Sequence, residues 1–176
     1  MIGPGMGLSK DTTEFFESLL DYCLNSFNGH VVIDADGLNC LAQLDRVEEL
    51  NERFILTPHS GEANRLWGEE LSELPKLHAQ VVHKSSTTVV HTRDGLKWIN
   101  PAGNNGMATA GSGDVLAGII GGLSSQGISS HHAAITGTYL HGLAGDIARN
   151  KLTEYCLTAS DLIKYLPKAF KILRNQ

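Results

Sequence analysis

The sequence predicts an α/β fold in which a mostly parallel, doubly wound sheet lies between two layers of helices. Residues 31–35 and 54–56 are short runs rich in apolar and β-branched residues with almost no polar alternation, which is typical of parallel strands covered on both faces. Segments with helical spacing of apolar residues separate such runs. Polar residues follow each run directly, and a site along the carboxyl edge of the sheet is therefore expected.

Helical patterns account for much of the remaining chain. Apolar residues recur at helical spacing over 11–27, and Asp11 with Glu14 is expected to form the capping box of that helix. Thr158 or Ser160 is expected to cap the last helix. The other helices are expected at residues 63–67, 68–80, 114–123, 131–149 and 160–173.

Residues 88–92 and 96–99 predict a β-hairpin, because they flank a polar turn that ends in Gly95, a residue that tolerates positive φ. The 176 residues fit one domain with a sizeable core, and no internal repeat or linker divides them. The chain is therefore expected to form a single domain over residues 1–176.

Composition excludes several functional classes. The 14 Lys and Arg against 19 Asp and Glu give a net charge of -5, and no basic run is interleaved with aromatic residues, so nucleic acid is not an expected partner. No apolar stretch reaches the ~18 residues of a membrane span, and the chain is expected to be soluble, cytoplasmic and without a membrane partner. The three cysteines show no Cys-x-x-Cys spacing and are expected to be reduced thiols.

The strongest local motif is the glycine-rich segment that ends at Gly111, Ser112, Gly113 and Asp114, directly before a helical pattern. Glycines at a helix start expose successive N–H groups, and the helix dipole adds positive charge, so this turn is a candidate phosphate site. A carboxylate there repels phosphate but can take a proton from a neighbouring hydroxyl, which makes Asp114 a candidate general base. The alternative is that Asp114 only complements the helix dipole, a contribution of about 0.3–1 kcal/mol.

Five segments, in order, resemble the ADP- or ATP-dependent NAD(P)H-hydrate dehydratases of the ribokinase-like superfamily. They are Gly-Pro-Gly-Met-Gly at 3–7, Ile-Asp-Ala-Asp-Gly-Leu-Asn at 33–39, Thr-Pro-His-Ser-Gly-Glu at 57–62, the stretch from Asn100 through Asp114 to Gly118, and His-Gly-Leu-Ala-Gly-Asp at 141–146 with Ala-Ser-Asp-Leu at 159–162. Each segment is short, but their order along one chain is hard to assign to chance. The resemblance implies a ribokinase-like three-layer α/β/α fold.

The resemblance also implies a repair lyase that converts hydrated NADH or NADPH back to NAD(P)H and consumes ADP or ATP, with Mg²⁺ as cofactor. Asp114 would deprotonate the ring hydroxyl, which attacks the terminal phosphoryl group, and the phosphorylated hydrate would then lose phosphate. No residue is assigned as a metal ligand. The implied substrate-binding residues are Gly5, Asp36, Asn39, His59 and Asp114. The implied nucleotide-binding residues are Lys84, Ser85, Ser86, Thr87, Thr88, Asn104, Gly111, Ser112 and Gly113.

Departures from the family pattern carry expectations of their own. Ser85 stands where the family prefers glycine, and the family's earlier strands precede the Gly-Pro-Gly turn, so this chain is expected to lack them. A sheet without those strands would expose apolar surface, and a homo-oligomer is therefore expected. The Thr-Pro-His form ending at His59 resembles bacterial members, which favours ADP over ATP as the donor.

Alternatives remain open from the sequence. Asp114 would serve equally well in a small-molecule alcohol kinase of the same superfamily, and the chain could be an inactive nucleotide-binding domain. His59 could simply cap the helix that follows it, and Lys84 could be a solvated surface charge. The adjacent His131 and His132 do not face each other on a helix, so they are not interpreted as metal ligands.

Overall fold

A computed structural model describes residues 1–68 and 78–175. Within these ranges the chain forms helices on both faces of one five-stranded sheet. The helices are α1 Lys10–Asn25, α2 Asp36–Leu44, α3 Ser60–Trp67, α4 Ser112–Ser125, α5 Ser130–Leu152 and α6 Ala159–Arg174. The strands are β1 Val31–Ile33, β2 Phe54–Leu56, β3 Gln80–His83, β4 Val89–His91 and β5 Lys97–Ile99.

The sheet is mixed, with strand order β1-β2-β3-β4-β5. The pairs β1–β2 and β2–β3 are parallel, while β3–β4 and β4–β5 are antiparallel. The antiparallel β4–β5 pair is the hairpin expected around Gly95, whose φ of 84° uses the left-handed region that glycine tolerates. The parallel part therefore has its carboxyl ends at one edge, where the predicted site lies.

Alternate strand residues point into opposite layers, which confirms the three-layer α/β/α arrangement. Val32 and Ile55 pack with residues of α4, α5 and α6, whereas Val31, Ile33 and Phe54 pack with residues of α1 and α2. All residues of β1 and β2 are buried. A doubly covered parallel strand needs apolar residues on both faces, and this explains the absence of alternation in the sequence.

The predicted helices differ from the observed ones mainly at their ends. The prediction of a capping box formed by Asp11 and Glu14 was wrong: Ser9 is the N-cap of α1, and its side chain accepts a hydrogen bond from the Thr12 N–H. A hydroxyl two residues earlier accepts from one of the free helix donors, so the helix begins at Lys10. Thr158 caps α6 as predicted, in a capping box with Asp161. Most of the helix expected at 68–80 lies outside the described residues.

The sequence did not predict α2, which begins immediately after β1. Ala35, its N-cap, has a φ of 50°, an uncommon value for a residue with a side chain. The N-terminal turn packs on this segment, because the Ile2 N–H donates to the Val32 carbonyl and Gly3 has no room for a side chain. A Cβ atom at Gly3 would lie 1.8 Å from the Asp34 carbonyl oxygen. No helix in residues 1–68 or 78–175 has the length and apolarity needed to cross a membrane.

Candidate active site

The carboxyl ends of the parallel strands open into one cavity of about 920 Å³. Asp34 and Ala35 follow β1, His59 follows β2, and Lys84 follows β3, so the cavity lies at the predicted edge of the sheet. The glycine-rich segment before α4 forms another wall. Among the predicted site residues, the lining includes His59, Lys84, Ser85, Ser86, Thr87, Thr88, Asn104, Ser112, Gly113 and Asp114.

The first turn of α4 has the geometry of an anion site. Gly111 is the N-cap with a φ of 83°, a left-handed conformation that turns the chain sharply into the helix. The N–H groups that open a helix have no partner within it, and the helix dipole makes this end positive. Ser112, Gly113 and Asp114 follow in this turn, and all three line the cavity. The Ser112 N–H donates to the Thr109 carbonyl at 3.2 Å, which leaves the N–H groups of Gly113 and Asp114 for a bound anion. Asp114 is exposed, so its carboxylate is open to a bound molecule.

Lys84 is not a solvated surface charge. Its Nζ atom lies 2.7 Å from Oδ1 of Asp34, and the side chains are 21% and 1% exposed. A Cβ atom at Gly113 would lie 3.3 Å from that Nζ atom and 3.8 Å from Oδ2 of Asp34. The ion pair therefore lies directly against the first turn of α4. Asp34 was not among the predicted site residues, although its position after β1 was the available signal.

His59 both caps a helix and lines the cavity. Its Nδ1 atom accepts hydrogen bonds from the Gly61 and Glu62 N–H groups, at 3.0 and 3.2 Å, and the Glu62 carboxylate accepts from the His59 N–H at 2.8 Å. The alternative of a capping histidine is therefore confirmed. Nδ1 is thus used as an acceptor, and Nε2 lies 3.5 Å from Oε1 of Glu62. The side chain remains 55% exposed and lines the cavity.

The loop between β3 and β4 supplies hydroxyl groups to the same cavity. Residues Ser85, Ser86 and Thr87 are exposed and Thr88 is half-buried. The Ser85 hydroxyl donates to the Thr87 carbonyl at 2.6 Å, which closes the turn. Serine thus stabilises the loop at the position where the related family prefers glycine.

Two polar residues of α5 support the cavity walls, and neither was predicted. His141 Nε2 lies 3.0 Å from the Ser112 carbonyl oxygen, and the Asp146 carboxylate accepts from the Gly103 N–H at 2.9 Å and from Asn104 Nδ2 at 3.0 Å. Burial lowers the pKa of His141 to about 4, so the ring is neutral near pH 7 and donates to Ser112. The available signal for His141 and Asp146 was that segment 141–146 resembles the family, but no role was predicted for either residue.

Four predicted site residues are not among the residues that line the cavity: Gly5, Asp36, Asn39 and Gly111. The Asp36 carboxylate accepts from the Gly7 N–H at 2.8 Å and so holds the N-terminal turn. The Asn39 amide oxygen accepts from Arg65 Nε at 2.8 Å, which ties α2 to α3. Gly5 is exposed in the turn itself, with a φ of 73°.

Within residues 1–68 and 78–175, no three acidic, histidine or cysteine side chains come together as metal ligands. His131 and His132 pack edge to face, and the His132 ring contacts the Ser129 hydroxyl at 2.9 Å. The cavity does carry oxygen donors, since Asp34, Glu62 and Asp114 line it. That donor set fits a Mg²⁺ ion that keeps phosphate and water ligands, because Mg²⁺ is usually held by one or two carboxylates plus a substrate's phosphates.

Comparison with known proteins finds relatives named as NAD(P)H-hydrate repair enzymes or dehydratases. The chain is 40% identical to the bifunctional NAD(P)H-hydrate repair enzyme Nnr of Thermofilum pendens, over 99% of this chain and 35% of that protein. It is 37% identical to the ADP-dependent (S)-NAD(P)H-hydrate dehydratase of Neisseria meningitidis, over 100% of this chain and 62% of that protein. The chain therefore spans about a third of the length of the first relative and less than two thirds of the second.

Solved structures agree in fold. A ribokinase-like superfamily protein of Enterococcus faecalis matches with a TM-score of 0.82 and 29% identity, over 97% of this chain and 61% of that one. The ADP/ATP-dependent NAD(P)H-hydrate dehydratase of Bacillus subtilis, co-crystallized with ATP/Mg²⁺ and soaked with CoA, matches with a TM-score of 0.77 and 29% identity, over 97% and 64%. The fold is thus ribokinase-like, as the resemblance implied. The model of the NAD(P)H-hydrate dehydratase family matches residues 1–168, and the chain belongs to that family.

Proposed function

We propose that this chain carries the site of an ADP- or ATP-dependent NAD(P)H-hydrate dehydratase, a lyase of metabolite repair. One observation carries the proposal: the exposed Asp114 carboxylate, the N-terminal turn of α4 and the Lys84 ammonium line a single cavity. A base, an anion site and a cation are the parts that phosphoryl transfer to a hydroxyl requires. The names of the relatives support the same reaction.

The chemistry follows from Asp114. Its carboxylate takes the proton of the hydroxyl on the hydrated nicotinamide ring while the hydroxyl oxygen bonds to the terminal phosphorus of ADP or ATP. The bond from that phosphorus to the bridging oxygen breaks, and AMP or ADP leaves. The ring nitrogen's electron pair then expels inorganic phosphate, and loss of a ring proton completes the double bond. Phosphorylation thus converts hydroxide, a poor leaving group, into phosphate.

The remaining site residues position the nucleotide and the hydrate and neutralise the charge of the phosphates. The nucleotide is assigned to Lys84, Ser85, Ser86, Thr87, Thr88, Asn104 and the turn Gly111, Ser112 and Gly113. The hydrate is assigned to Gly5, Asp36, Asn39, His59 and Asp114. The exposed His59 ring lies in the cavity wall beside Glu62, and a ring nitrogen that donates suits the polar carboxamide and hydroxyl groups of the hydrate.

Mg²⁺ would be held by the phosphates of the nucleotide together with the Glu62 carboxylate, which lines the cavity and is neither the proposed base nor the partner of Lys84. When bound, it would neutralise charge on the transferred phosphoryl group. The N–H groups of Gly113 and Asp114 would act on the same group, since both residues line the cavity and N–H groups of a first helical turn have no partner within the helix.

A turnover assay tests the proposal. Hydrated NADH is incubated with Mg²⁺ and either ADP or ATP, and both the absorbance of reduced nicotinamide and the released inorganic phosphate are followed. We expect one phosphate per NADH formed, with faster turnover on ADP than on ATP. A stable phosphorylated product without phosphate release would indicate an alcohol kinase, and nucleotide binding without turnover would indicate an inactive domain.

The setting of this activity is proposed on separate grounds. Cys23 and Cys40 are buried free thiols, a state that a reducing compartment maintains, so we place the enzyme in the cytoplasm. Self-association is proposed from exposed apolar residues of the β4–β5 hairpin, Trp98 and Ile99.

A further inference from the structure

We propose that Asp34 is a positioning residue that holds the Lys84 ammonium against the first turn of α4, where the lysine meets the terminal phosphate of the nucleotide. This inference rests on the proposed function of the cavity and extends it to a residue with no assigned role. The inference rests on the ion pair between Asp34, which follows β1, and Lys84, which follows β3, at the start of α4.

Both partners are fixed at their backbones. The Asp34 N–H donates to the Ile2 carbonyl at 3.1 Å, and the Asp34 carbonyl accepts from the Gly37 N–H at 3.0 Å. The Lys84 N–H donates to the Pro58 carbonyl at 2.7 Å. The 2.7 Å contact from Lys84 Nζ to Asp34 Oδ1 then fixes the far end of the lysine side chain as well.

Gly113 lets the ammonium lie close to the helix. A Cβ atom at this position would lie 3.3 Å from Lys84 Nζ, a tight contact that would shift the ammonium by a few tenths of an ångström. The N–H groups of this turn and the ammonium are therefore adjacent sources of positive charge on one cavity wall. A phosphate that accepts from the turn lies within reach of Lys84.

Asp34 is needed because lysine is flexible. Four methylene groups let the ammonium spread over many rotamers, whereas phosphoryl transfer depends on the position of the compensating charge. A displacement of about 1 Å in such a group can reduce the rate by about 10²-fold. A buried carboxylate, 1% exposed, restricts the ammonium to one place. Asp34 thus acts through Lys84.

The arrangement predicts a distinction between nucleotides. If Lys84 meets the terminal phosphate, then its contribution is present for ADP and absent for AMP. Loss of one charge-assisted contact lowers affinity by about 10- to 100-fold. If Lys84 instead contacted the sugar or base, AMP and ADP would lose affinity equally.

The experiment compares wild type with Asp34→Asn, Lys84→Met and the double variant. We expect Asp34→Asn to lower kcat by about 10²-fold and to change kcat less than about twofold in the Lys84→Met background. The ratio of ADP to AMP affinity, from titration calorimetry, should fall in Asp34→Asn to the value of the double variant. Glu52→Gln is the matched control, since it breaks an exposed pair with Arg93 away from the cavity.

Several results would overturn the proposal. Rate losses that multiply in the double variant would mean that Asp34 acts independently of Lys84. A raised Mg²⁺ requirement in Asp34→Asn, with or without Lys84, would make Asp34 a metal ligand instead. An unchanged affinity ratio in Asp34→Asn, with loss only in the double variant, would equally exclude positioning.

The affinity comparison remains decisive if Lys84→Met fails to fold or if the wild type shows no turnover. Lys84→Met alone leaves a buried carboxylate without its partner and can unfold the protein. The comparison of wild type, Asp34→Asn and the double variant does not need that protein. If the wild type binds ADP but shows no turnover, the proposed function fails while the affinity ratio still decides the role of Asp34. A wild type that binds neither nucleotide refutes both.

Discussion

Replacing Asp114 with asparagine separates the general-base role from the interaction with the helix dipole. Asparagine keeps the shape of the side chain, so the first turn of α4 should be retained. Asparagine cannot accept the proton of the ring hydroxyl. We therefore expect the variant to fold and bind nucleotide while losing most of its turnover.

The two roles differ greatly in size. Asp114 is exposed and lies in the first turn, so its interaction with the helix dipole contributes about 0.3–1 kcal/mol to folding. Such a loss leaves nearly all molecules folded and the rate almost unchanged. Loss of a general base lowers the rate by about 10²–10⁴-fold, roughly 3–5 kcal/mol of barrier. The affinity for ADP should hold or rise slightly, because a negative charge beside the phosphates is removed.

The chain offers a matched control in Asp11, an exposed aspartate in the first turn of α1. Asp11→Asn removes the same charge from the same part of a helix outside the described lining of the cavity. Turnover, melting temperature and ADP affinity are measured for both variants. Wild-type turnover in Asp114→Asn, or a fall in its melting temperature large enough to explain inactivity, would refute the assignment of Asp114 as the base.

Three further predictions test the supporting structure. Gly3→Ala should lower the free energy of unfolding by more than the ~1–2 kcal/mol that a left-handed residue costs, because its Cβ would overlap the Asp34 carbonyl; a denaturant melt with unchanged midpoint would contradict this. His141 has a folded pKa of about 4, below its ordinary value of 6.5, so the unfolded chain binds the proton first and stability falls as the pH falls from about 6.5 toward 4. His141→Gln, compared by melts across that range, should remove up to about 3 kcal/mol of this fall. Self-association is expected through the hairpin that exposes 47% of Trp98 and 69% of Ile99, and light scattering that gives a monodisperse monomer would oppose it.

Local features of the site could be predicted from sequence because they depend on neighbours in the chain. Apolar runs indicated β1 and β2, glycine at Gly111 indicated the sharp entry to α4, and the polar residues after the strands indicated the edge where the cavity opens. The Thr158 cap was equally local. The error at Asp11 and Glu14 was also local, since Ser9 offers a competing cap that spacing alone does not rank.

Contacts between distant segments could not be predicted in the same way. Asp34 and Lys84 are 50 residues apart, and each sits after a different strand. Nothing in their sequence separation indicates an ion pair, because the pairing follows from strand order in the sheet. Asn104 and Asp146, 42 residues apart, meet only because α5 crosses the glycine-rich segment. Their partners needed the tertiary structure.

The crossing of α5 over the glycine-rich segment holds this wall of the cavity in place. One face of α5, at Thr138, Gly142, Gly145 and Asp146, lies against the segment that contains Ala102 and Met107, since residues three, four and seven apart share a helix face. A Cβ at Gly142 would lie 2.5 Å from the Ala102 carbonyl oxygen, and one at Gly145 would lie 2.2 Å from Met107 Sδ. The Thr138 carbonyl accepts from Asn100 Nδ2 at 3.3 Å, and Asp146 bonds the Gly103 N–H at the other end. Glycine permits this close approach and the polar residues fix its register, so α5 holds in place the segment that leads into the first turn of α4.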